Sequence, residues 1–366
     1  MGFSPLRLDR VHTVERAADL PRREWDALAR PSDVFLTTRW LDVVENTAGV
    51  PMAYLWTERD GVPVAALATA SATASVPWTL GRPDVVLRNS AEAGLPGAAG
   101  FLAGLGGDAT TALMPSVVAG GRHVGNTRIL YGARATDEDL EALVTAAEAR
   151  ARDLGAASVA FLYLDETDRR LAAVLGARGY AGCVSGRHSS LSVPADGFDG
   201  YLASLPRKRR VSVAAERRRL REAGVDVRLE SLDGADLPRF AALEAELLRK
   251  YGIEWRADQS LPQLRQVRDR FGDDAFAVVA RDGGEIRGFG LILRHGGHWY
   301  ARQTGYDYAY QRRTGLPLYF ELLYYRLVEE AAAAGVPVIH YGLGSEDTKR
   351  SRGCTATDQY CLLLRL

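Results

Sequence analysis

The pattern of apolar and polar positions predicts the same order of elements in each half of the chain. Each half has two apolar segments separated by a short polar turn, at 53–57 and 62–70 in the first half and at 276–280 and 286–293 in the second. Such segments around a turn with Asp and Gly are typical of a β-hairpin. A predicted strand, helix and strand follow each hairpin, at 128–131, 137–154 and 155–162, and at 299–303, 318–334 and 336–341. The repetition indicates two copies of one αβ unit.

The two copies differ in length between the hairpin and the helix. Asp60 and Asp282, in the two turns, lie 222 positions apart, whereas Gly155 and Gly335, just after the two helices, lie 180 apart. The first copy therefore carries about 42 additional residues. These fall in segment 83–125, which is rich in Gly, Ala and Pro. Its length and composition predict an irregular loop.

The remaining elements suggest where the chain divides. An edge strand is predicted at 6–14, a helix at 21–30, and a second helix after Thr37 or Thr38, which are good N-cap residues. Between the two copies, the segment 196–200 is a natural joint because it contains Gly and Asp. We predict an N-terminal domain at 1–195 and a C-terminal domain at 196–366.

Composition limits the class of protein. The 366 residues are 47% apolar and 25% charged, which suits a globular protein of two domains. Because 46 basic and 46 acidic residues cancel, no overall charge attracts the chain to nucleic acid or membrane. Three cysteines argue against a disulfide framework and for a reducing compartment. The sequence lacks an apolar signal region and a run of about 18 apolar residues, so we expect a cytoplasmic protein without membrane insertion.

One short segment departs from this neutral balance. Between 207 and 221 there are eight basic residues and one acidic residue, on a predicted helix that ends at Gly224. Three interpretations remain open: a solvated helix face, a phosphate-binding surface, or a tract like a nuclear-import signal. As a phosphate-binding surface, the segment would use the cations at its start, which are Arg207, Lys208, Arg209 and Arg210.

A second candidate for phosphate binding precedes the helix at 318–334. Arg312, Arg313 and Gly315 lie in a short loop before the helix, where free backbone N–H groups can bind an anion. The loop resembles the R/Q-x-x-G-x-G/A pattern with which GNAT acyltransferases hold a pyrophosphate, although Pro317 replaces the last small residue. The segment 341–344, followed by Lys349 and Arg352, resembles the end of the Fem-like branch of tandem GNAT proteins.

The resemblance implies a fold and a reaction. The expected fold is α/β, with mixed α+β sheets and two GNAT-like domains in tandem: an N-terminal scaffold on the acceptor side and a C-terminal catalytic domain that binds the donor. The expected activity is amide-forming N-acyl transfer, which moves an aminoacyl or acyl group to an amine of a small metabolite or peptide. The basic run also resembles the helix that opens the catalytic copy in Fem-like proteins.

The donor remains open between two classes. An aminoacyl-tRNA would use the basic helix and is preferred, because Pro317 departs from the pyrophosphate pattern. A thioester on coenzyme A, or on the phosphopantetheine of an acyl carrier protein, would use the loop. Either donor is a co-substrate, and we expect neither a tightly bound cofactor nor a metal ion. A catalytically inactive tandem GNAT that binds a ligand is the alternative from another class.

Amide formation also requires an oxyanion stabiliser and a proton acceptor. Backbone N–H groups at 303–305 are candidates for the first role, and the Gln303 side chain is assigned to donor binding. Asp307 is the first candidate for the second role, ahead of Glu346 and His340, although it could instead cap a turn. Lys349 and Arg352 are three residues apart, so on a helix they would share a face and could hold phosphate or negative charge.

Overall fold

The computed structural model describes residues 11–76, 79–120 and 127–366, and the chain forms two compact units. Unit 1 consists of the chain up to His188 together with Thr357–Leu366, and unit 2 consists of Ser189–Ala356. The boundary therefore lies before the predicted one at 195, and the end of the chain belongs to unit 1. The predicted joint near Asp196 begins a helix inside unit 2.

Unit 1 begins with two helices and an antiparallel hairpin. Its elements are β1 (Val11–Val14), α1 (Arg22–Asp26), α2 (Thr38–Ala48), β2 (Met52–Arg59), β3 (Val62–Ala72), α3 (Pro83–Glu92), α4 (Ala98–Gly104), α5 (Ala109–Leu113), β4 (Ser116–Ala119), β5 (Leu130–Tyr131), α6 (Asp137–Asp153), β6 (Ser158–Asp165), α7 (Arg169–Ala177) and β7 (Ala181–Ser192). The predicted hairpin and the long helix at 137–154 are confirmed. The predicted edge strand at 6–14 is described only from Val11.

The prediction of an irregular loop at 83–125 is wrong over the part that the structure describes. Three helices and strand β4 occupy 83–119, and residues 121–126 lie outside the described ranges. Pro83 occupies the first turn of α3, where its missing N–H is harmless, and the Asp108 carboxylate accepts the Thr111 N–H at the start of α5. Gly and Ala belong to short helices here, because Ala favours helix and Gly favours helix ends.

Unit 2 contains the longer helices. Its elements are α8 (Gly197–Ser204), α9 (Arg207–Glu222), β8 (Asp226–Ser231), α10 (Leu237–Lys250), α11 (Ala257–Phe271), β9 (Ala275–Asp282), β10 (Glu285–His295), β11 (His298–Tyr306), α12 (Tyr308–Thr314), α13 (Leu318–Phe320), a π-helical segment (Glu321–Tyr325), α14 (Arg326–Ala333), β12 (Val338–Gly342) and α15 (Glu346–Arg350). A final strand, β13 (Thr355–Arg365), pairs with β6 of unit 1. The predicted hairpin at 276–293 and the helices at 206–224 and 318–334 are confirmed.

The same pairing pattern occurs in both units. In unit 1, β1 to β4 pair antiparallel in sequence order, β4 pairs parallel with β6, and β6 pairs antiparallel with β13. In unit 2, β8 to β11 pair antiparallel, β11 pairs parallel with β12, and β12 pairs antiparallel with the end of β7. The predicted repeat is therefore present, but the counterpart of β11 is β4, which lies in the segment predicted to be a loop.

Helix α10 packs closely against strand β11, which fixes the positions of the residues on both elements. Gly305 of β11 lies so close to α10 that an added Cβ would be 2.5 Å from the Glu244 nitrogen and from the Leu243 carbonyl carbon. Strand β11 continues through this glycine to Tyr306, beyond the predicted end at residue 303. Glycine is required here because only a residue without a Cβ permits this approach of helix to strand.

Candidate functional site

A cavity opens in unit 2 where two parallel strands separate. Strand β11 pairs with β12 at Trp299 and Tyr300, and within the described chain the pairing ends there. The Asp307 N–H donates to the Arg287 carbonyl, so by antiparallel alternation the Thr304 N–H points away from β10. Thr304 lines the cavity. Its N–H is therefore a backbone donor at an edge not covered by β12, within the stretch 303–305 predicted for the oxyanion.

The cavity has a volume of about 400 Å³ and a wall rich in aromatic side chains. It is lined by Leu247, Lys250, Tyr251, Ala301, Arg302, Gln303, Thr304, Tyr306, Tyr308, Gln311, Tyr319, Phe320, Leu323, Tyr324, Tyr341, Leu343, Ser345, Thr348 and Lys349. Three of these residues are cationic, and none is acidic. Local cations beside an aromatic wall favour a ligand that is neutral or anionic and carries an apolar part.

Lys349 is buried at the edge of this cavity. Its Nζ donates to the carbonyl oxygens of Tyr341 at 2.9 Å, Gly342 at 2.8 Å and Leu343 at 2.8 Å. Burial lowers the pKa of Lys349 to about 8. Because an ammonium group has three N–H donors, all of them are engaged. Lys349 thus stabilises the chain that follows β12 and brings positive charge to the cavity, without an N–H left for a phosphate.

Arg352 does not lie in the cavity wall, and the clamp predicted for Lys349 and Arg352 is not formed. Arg352 is 2% exposed, its Nε donates to the Tyr325 hydroxyl at 2.9 Å, and its guanidinium lies 3.8 Å from the centre of the Phe320 ring. An ion pair with Glu216 at 3.6 Å completes its surroundings. Lys349 and Arg352 are separated because α15 ends at Arg350, so they do not share a helix face.

Asp307 is a helix cap rather than a proton acceptor. Its Oδ1 accepts the Tyr310 N–H at 2.8 Å, and its Oδ2 lies 3.1 Å from both Arg239 and Arg287. Burial alone would raise the pKa of Asp307, but the Tyr310 hydrogen bond and the two guanidinium groups lower it below its usual value. A carboxylate held in this way is a weak base, and Asp307 is not in the cavity wall. Asp307 therefore caps a helix, which was the alternative to the proton-acceptor role.

The other proposed proton acceptors are also placed by the structure. The His340 Nε2 lies 3.0 Å from the His298 Nδ1, and the His340 ring stacks on Tyr300 at 4.5 Å. His340 is thus part of a strand surface and not of the cavity wall. Glu346 is half-buried and its charge acts on Lys349.

The loop before α13 does not offer the predicted ring of free N–H groups. The Gly315 N–H donates to the Gln311 carbonyl at 2.7 Å, and the Leu318 N–H donates to the Leu316 carbonyl at 3.1 Å. The Leu316 N–H lies 3.4 Å from the Thr314 hydroxyl, and Pro317 has no N–H. The N–H groups from Gly315 to Leu318 are therefore not free to form the anion cradle predicted at Gly315.

The arginines of that loop remain exposed. Arg312 and Arg313 form the last turn of α12 before Gly315, whose φ of 64° ends the helix. Arg313 also lies over the Tyr310 ring, at 5.5 Å from its centre. The Arg219 side chain of α9 donates to the Gly315 carbonyl at 2.7 Å, which links the basic helix to this loop.

Helix α9 presents a row of cations to solvent. Its first four residues are the predicted Arg207, Lys208, Arg209 and Arg210. The Arg210 side chain donates to the Leu205 carbonyl, and Arg217 pairs with Glu321 and Glu329, so these two have structural partners. Arg218 pairs with Glu222 at 3.7 Å. Arg207, Lys208, Arg209 and Arg221 pair with no carboxylate in the described ranges. From Arg207 to Arg221 the helix rises about 21 Å.

Gln303, which the sequence assigned to donor binding, lies in the cavity wall, and its partner Glu244 was not predicted. The Gln303 Nε2 donates to the Glu244 carboxylate oxygens at 2.8 and 3.0 Å and to the Gln263 Oε1 at 3.2 Å. Burial raises the pKa of Glu244, opposed by hydrogen bonds from Ser260 and Gln303 and by the Arg302 charge. Glu244 adjoins the apolar stripe Phe240, Leu243, Leu247 of α10. A carboxylate beside the apolar stripe of a helix was the feature of the sequence that could have identified Glu244.

Comparison with known proteins decides the family. The sequence model of the FemAB-like family, described as peptidoglycan biosynthesis/recognition, matches residues 123–364. The chain belongs to the FemAB-like family. For a FemAB-like protein with this fold, the kind of reaction is aminoacyl or acyl transfer. Among curated proteins, none resembles the sequence closely enough to count as a match.

Solved structures agree with this FemAB-like assignment at the level of the fold. The crystal structure of FemX has a TM-score of 0.63 at 12% identity, over 97% of each chain. A tandem GNAT protein from the clavulanic acid biosynthesis pathway has a TM-score of 0.52 at 13% identity, over 97% of this chain and 98% of that one. The predicted tandem-GNAT, mixed α/β fold is therefore confirmed. No helix in the described ranges is long and apolar enough to cross a membrane.

Proposed function

We propose that this FemAB-like protein transfers an aminoacyl group from aminoacyl-tRNA to an amine, and that the unit 2 cavity holds the reacting groups. The amine belongs to a small metabolite or to a peptide of the peptidoglycan type, in keeping with the family description. In this reaction the nitrogen attacks the ester carbonyl carbon, the C–N bond forms, the C–O bond to the ribose breaks, and the amine loses a proton.

The observation that carries the donor assignment is the row of cations on α9. Arg207, Lys208, Arg209 and Arg221 are spread over about 21 Å of helix and lack carboxylate partners in the described chain. A single pyrophosphate spans only a few of these charges, whereas the phosphates of a nucleic acid can neutralise all of them. The engaged N–H groups at Gly315 support the same choice, because a coenzyme A pyrophosphate would need them.

The cavity supplies two further requirements of the reaction. The Thr304 N–H, at the edge of β11 that β12 leaves uncovered, is suited to donate to the oxyanion of the tetrahedral intermediate. Lys349 lines the same cavity, and its positive charge in a partly apolar wall stabilises the developing oxyanion. Donation of its three N–H groups to backbone carbonyls holds that charge in place.

A thioester donor is the second candidate, favoured by one observation. Arg312 and Arg313 are exposed beside Gln311, which lines the cavity, so they could receive the phosphates of coenzyme A or of a carrier-bound phosphopantetheine. This donor would use two arginines at the end of α12 and would not need the start of α9. The two donors therefore predict different effects of changes on α9.

The donor assignment is tested by the salt dependence of tRNA binding. We expect the pair Lys208→Glu and Arg209→Glu to weaken binding more than tenfold at physiological salt and to reduce the slope of log affinity against log salt by roughly two. Arg210 is left unchanged because its side chain donates to Leu205. The control pair, Arg23→Glu and Arg249→Glu, makes the same change in net charge at exposed sites outside α9. Equal effects of the two pairs, or no effect of either, would remove tRNA as the donor.

A further inference from the structure

The Gln303 side chain lines the unit 2 cavity and carries one buried polar atom that the protein itself does not satisfy. The side chain is 6% exposed, and the Oε1 atom has no hydrogen-bond partner among the described residues. Both amide hydrogens are engaged, by Glu244 and by Gln263. A buried acceptor without a donor destabilises a folded protein, and a ligand with an N–H group relieves this. Gln303 is therefore equipped to accept a hydrogen bond from a ligand and not to donate one to phosphate.

The orientation of this amide is fixed by its neighbours. A reversed amide would direct the Gln303 Oε1 at both oxygens of the Glu244 carboxylate, which repel it. Glu244 is itself held by a hydrogen bond from Ser260, and the Ser260 hydroxyl accepts the Trp255 Nε1–H at 2.9 Å. The acceptor atom is thus held by a network from α10, α11 and the segment before α11.

The charges around the cavity favour an uncharged donor over an ammonium ion. The charged groups around it include Arg302 beside Gln303, Glu244 behind Gln303, Lys250 and Lys349 in the wall, Glu246 beside Tyr308, and Glu346 beside Lys349, and the tyrosines of the wall and Cys354 beside Lys349 are ionisable but uncharged near neutral pH. Three cations line the wall directly, whereas the carboxylates lie behind it. A bound amine therefore loses its proton more readily than in water, because nearby positive charge disfavours its charged form.

We propose that the Gln303 Oε1 accepts an N–H of the attacking primary amine, which the cavity binds in its neutral form, with Glu244 as a positioning residue. This proposal rests on the proposed transferase function and adds the protonation state in which the acceptor amine binds. The hydrogen bond leaves the nitrogen lone pair available, so the C–N bond can form as the C–O bond of the donor breaks, and the extra proton of the nitrogen passes through water to the departing ribose oxygen. Only a neutral amine has that lone pair.

Binding of small amines tests this without any donor. In saturation-transfer NMR titrations of the whole chain, benzylamine should bind more tightly as the pH rises from 7 toward 9.5, because its neutral fraction increases. Benzyltrimethylammonium, which has no N–H and keeps its charge, should not compete. Gln303→Leu should weaken benzylamine binding roughly fivefold. Gln266→Leu is the matched control, because the Gln266 Oε1 also lacks a partner among the described residues and Gln266 does not line the cavity. Tighter binding of the quaternary ion, or equal effects of the two variants, would overturn the proposal.

Kinetics separates this proposal from the function on which it rests. With an aminoacyl-tRNA donor, Glu244→Gln should raise the KM for the amine and leave the KM for the donor unchanged, because Glu244 acts on the amine through the Gln303 amide. This variant retains a hydrogen-bond acceptor for Gln303, so it remains a test if Gln303→Leu does not fold. A change in the donor KM alone would contradict the proposal. Binding of benzylamine without any transfer would contradict the proposed function instead.

Discussion

Lys349 is the residue whose predicted role changes most once its contacts are known. Three carbonyl oxygens at 341–343 receive its three N–H groups, so its first effect is on the shape of the cavity edge. We expect Lys349→Met to lower the free energy of unfolding by roughly 3 kcal/mol at pH 7, because it leaves these buried carbonyls without donors. Urea unfolding checks this value. A variant as stable as the wild type would show that water replaces the ammonium group without loss.

The same comparison has a defined pH dependence. The pKa of Lys349 is about 8 in the folded chain and 10.5 as its usual value, so the unfolded chain binds more protons between these values. The wild type should therefore gain stability relative to Lys349→Met as the pH rises from 8 toward 10.5, by on the order of 3 kcal/mol in total. A difference that stays constant or shrinks over this range would mean that the lysine keeps its proton.

At this scale, sequence could identify residue types but not their partners. Asp307 before a helical segment could be expected to cap it, because capping depends on three neighbouring positions. The contact between Gln303 and Glu244 joins residues 59 positions apart, and no local pattern encodes it. The burial of Arg352 against Tyr325 and Phe320 is likewise a product of tertiary packing.

At the scale of elements, the close contact of α10 with β11 determines the position of Glu244. We expect Gly305→Ala to destabilise the protein by about 1–3 kcal/mol, because the added Cβ would meet the α10 backbone at 2.5 Å. The displaced helix would also move Glu244 and reduce transfer activity. Gly100→Ala, where no atom lies within 4 Å of the new Cβ, is the control and should be neutral or slightly stabilising. Thermal unfolding of the two variants distinguishes them, and equal melting temperatures would contradict the close packing.

The periodicity of the sequence was sufficient to predict some elements and not others. Hairpins and long helices were predicted because their alternation and their helical period extend over many residues. Segment 83–119 was not predicted correctly, because α4 and α5 are too short to show a helical period. Its Gly and Ala content is compatible both with a loop and with short helices. The strand β4, the counterpart of β11, was missed for the same reason.

For the whole molecule, the repeated strand pattern and the family assignment support our central proposal, that unit 2 binds a polyanionic activated donor on α9 and that the transfer takes place in its cavity. The repeat was visible in sequence because each copy keeps the same order of elements. The final strand of each copy could not be predicted from the sequence, because the last strand of unit 1 comes from the end of the chain. No spacing in the sequence predicts that exchange.

The most direct measurement is transfer of a labelled aminoacyl group from charged tRNA to hydroxylamine, a small neutral nucleophile, followed by mass spectrometry of the hydroxamate. We expect the wild type to accelerate this aminolysis above the uncatalysed rate, the control pair Arg23→Glu and Arg249→Glu to retain that acceleration, and the pair Lys208→Glu and Arg209→Glu to lose most of it. Acyl-coenzyme A in place of charged tRNA should give a slower reaction. Acceleration with acyl-coenzyme A alone, or none with either donor, would contradict the claim.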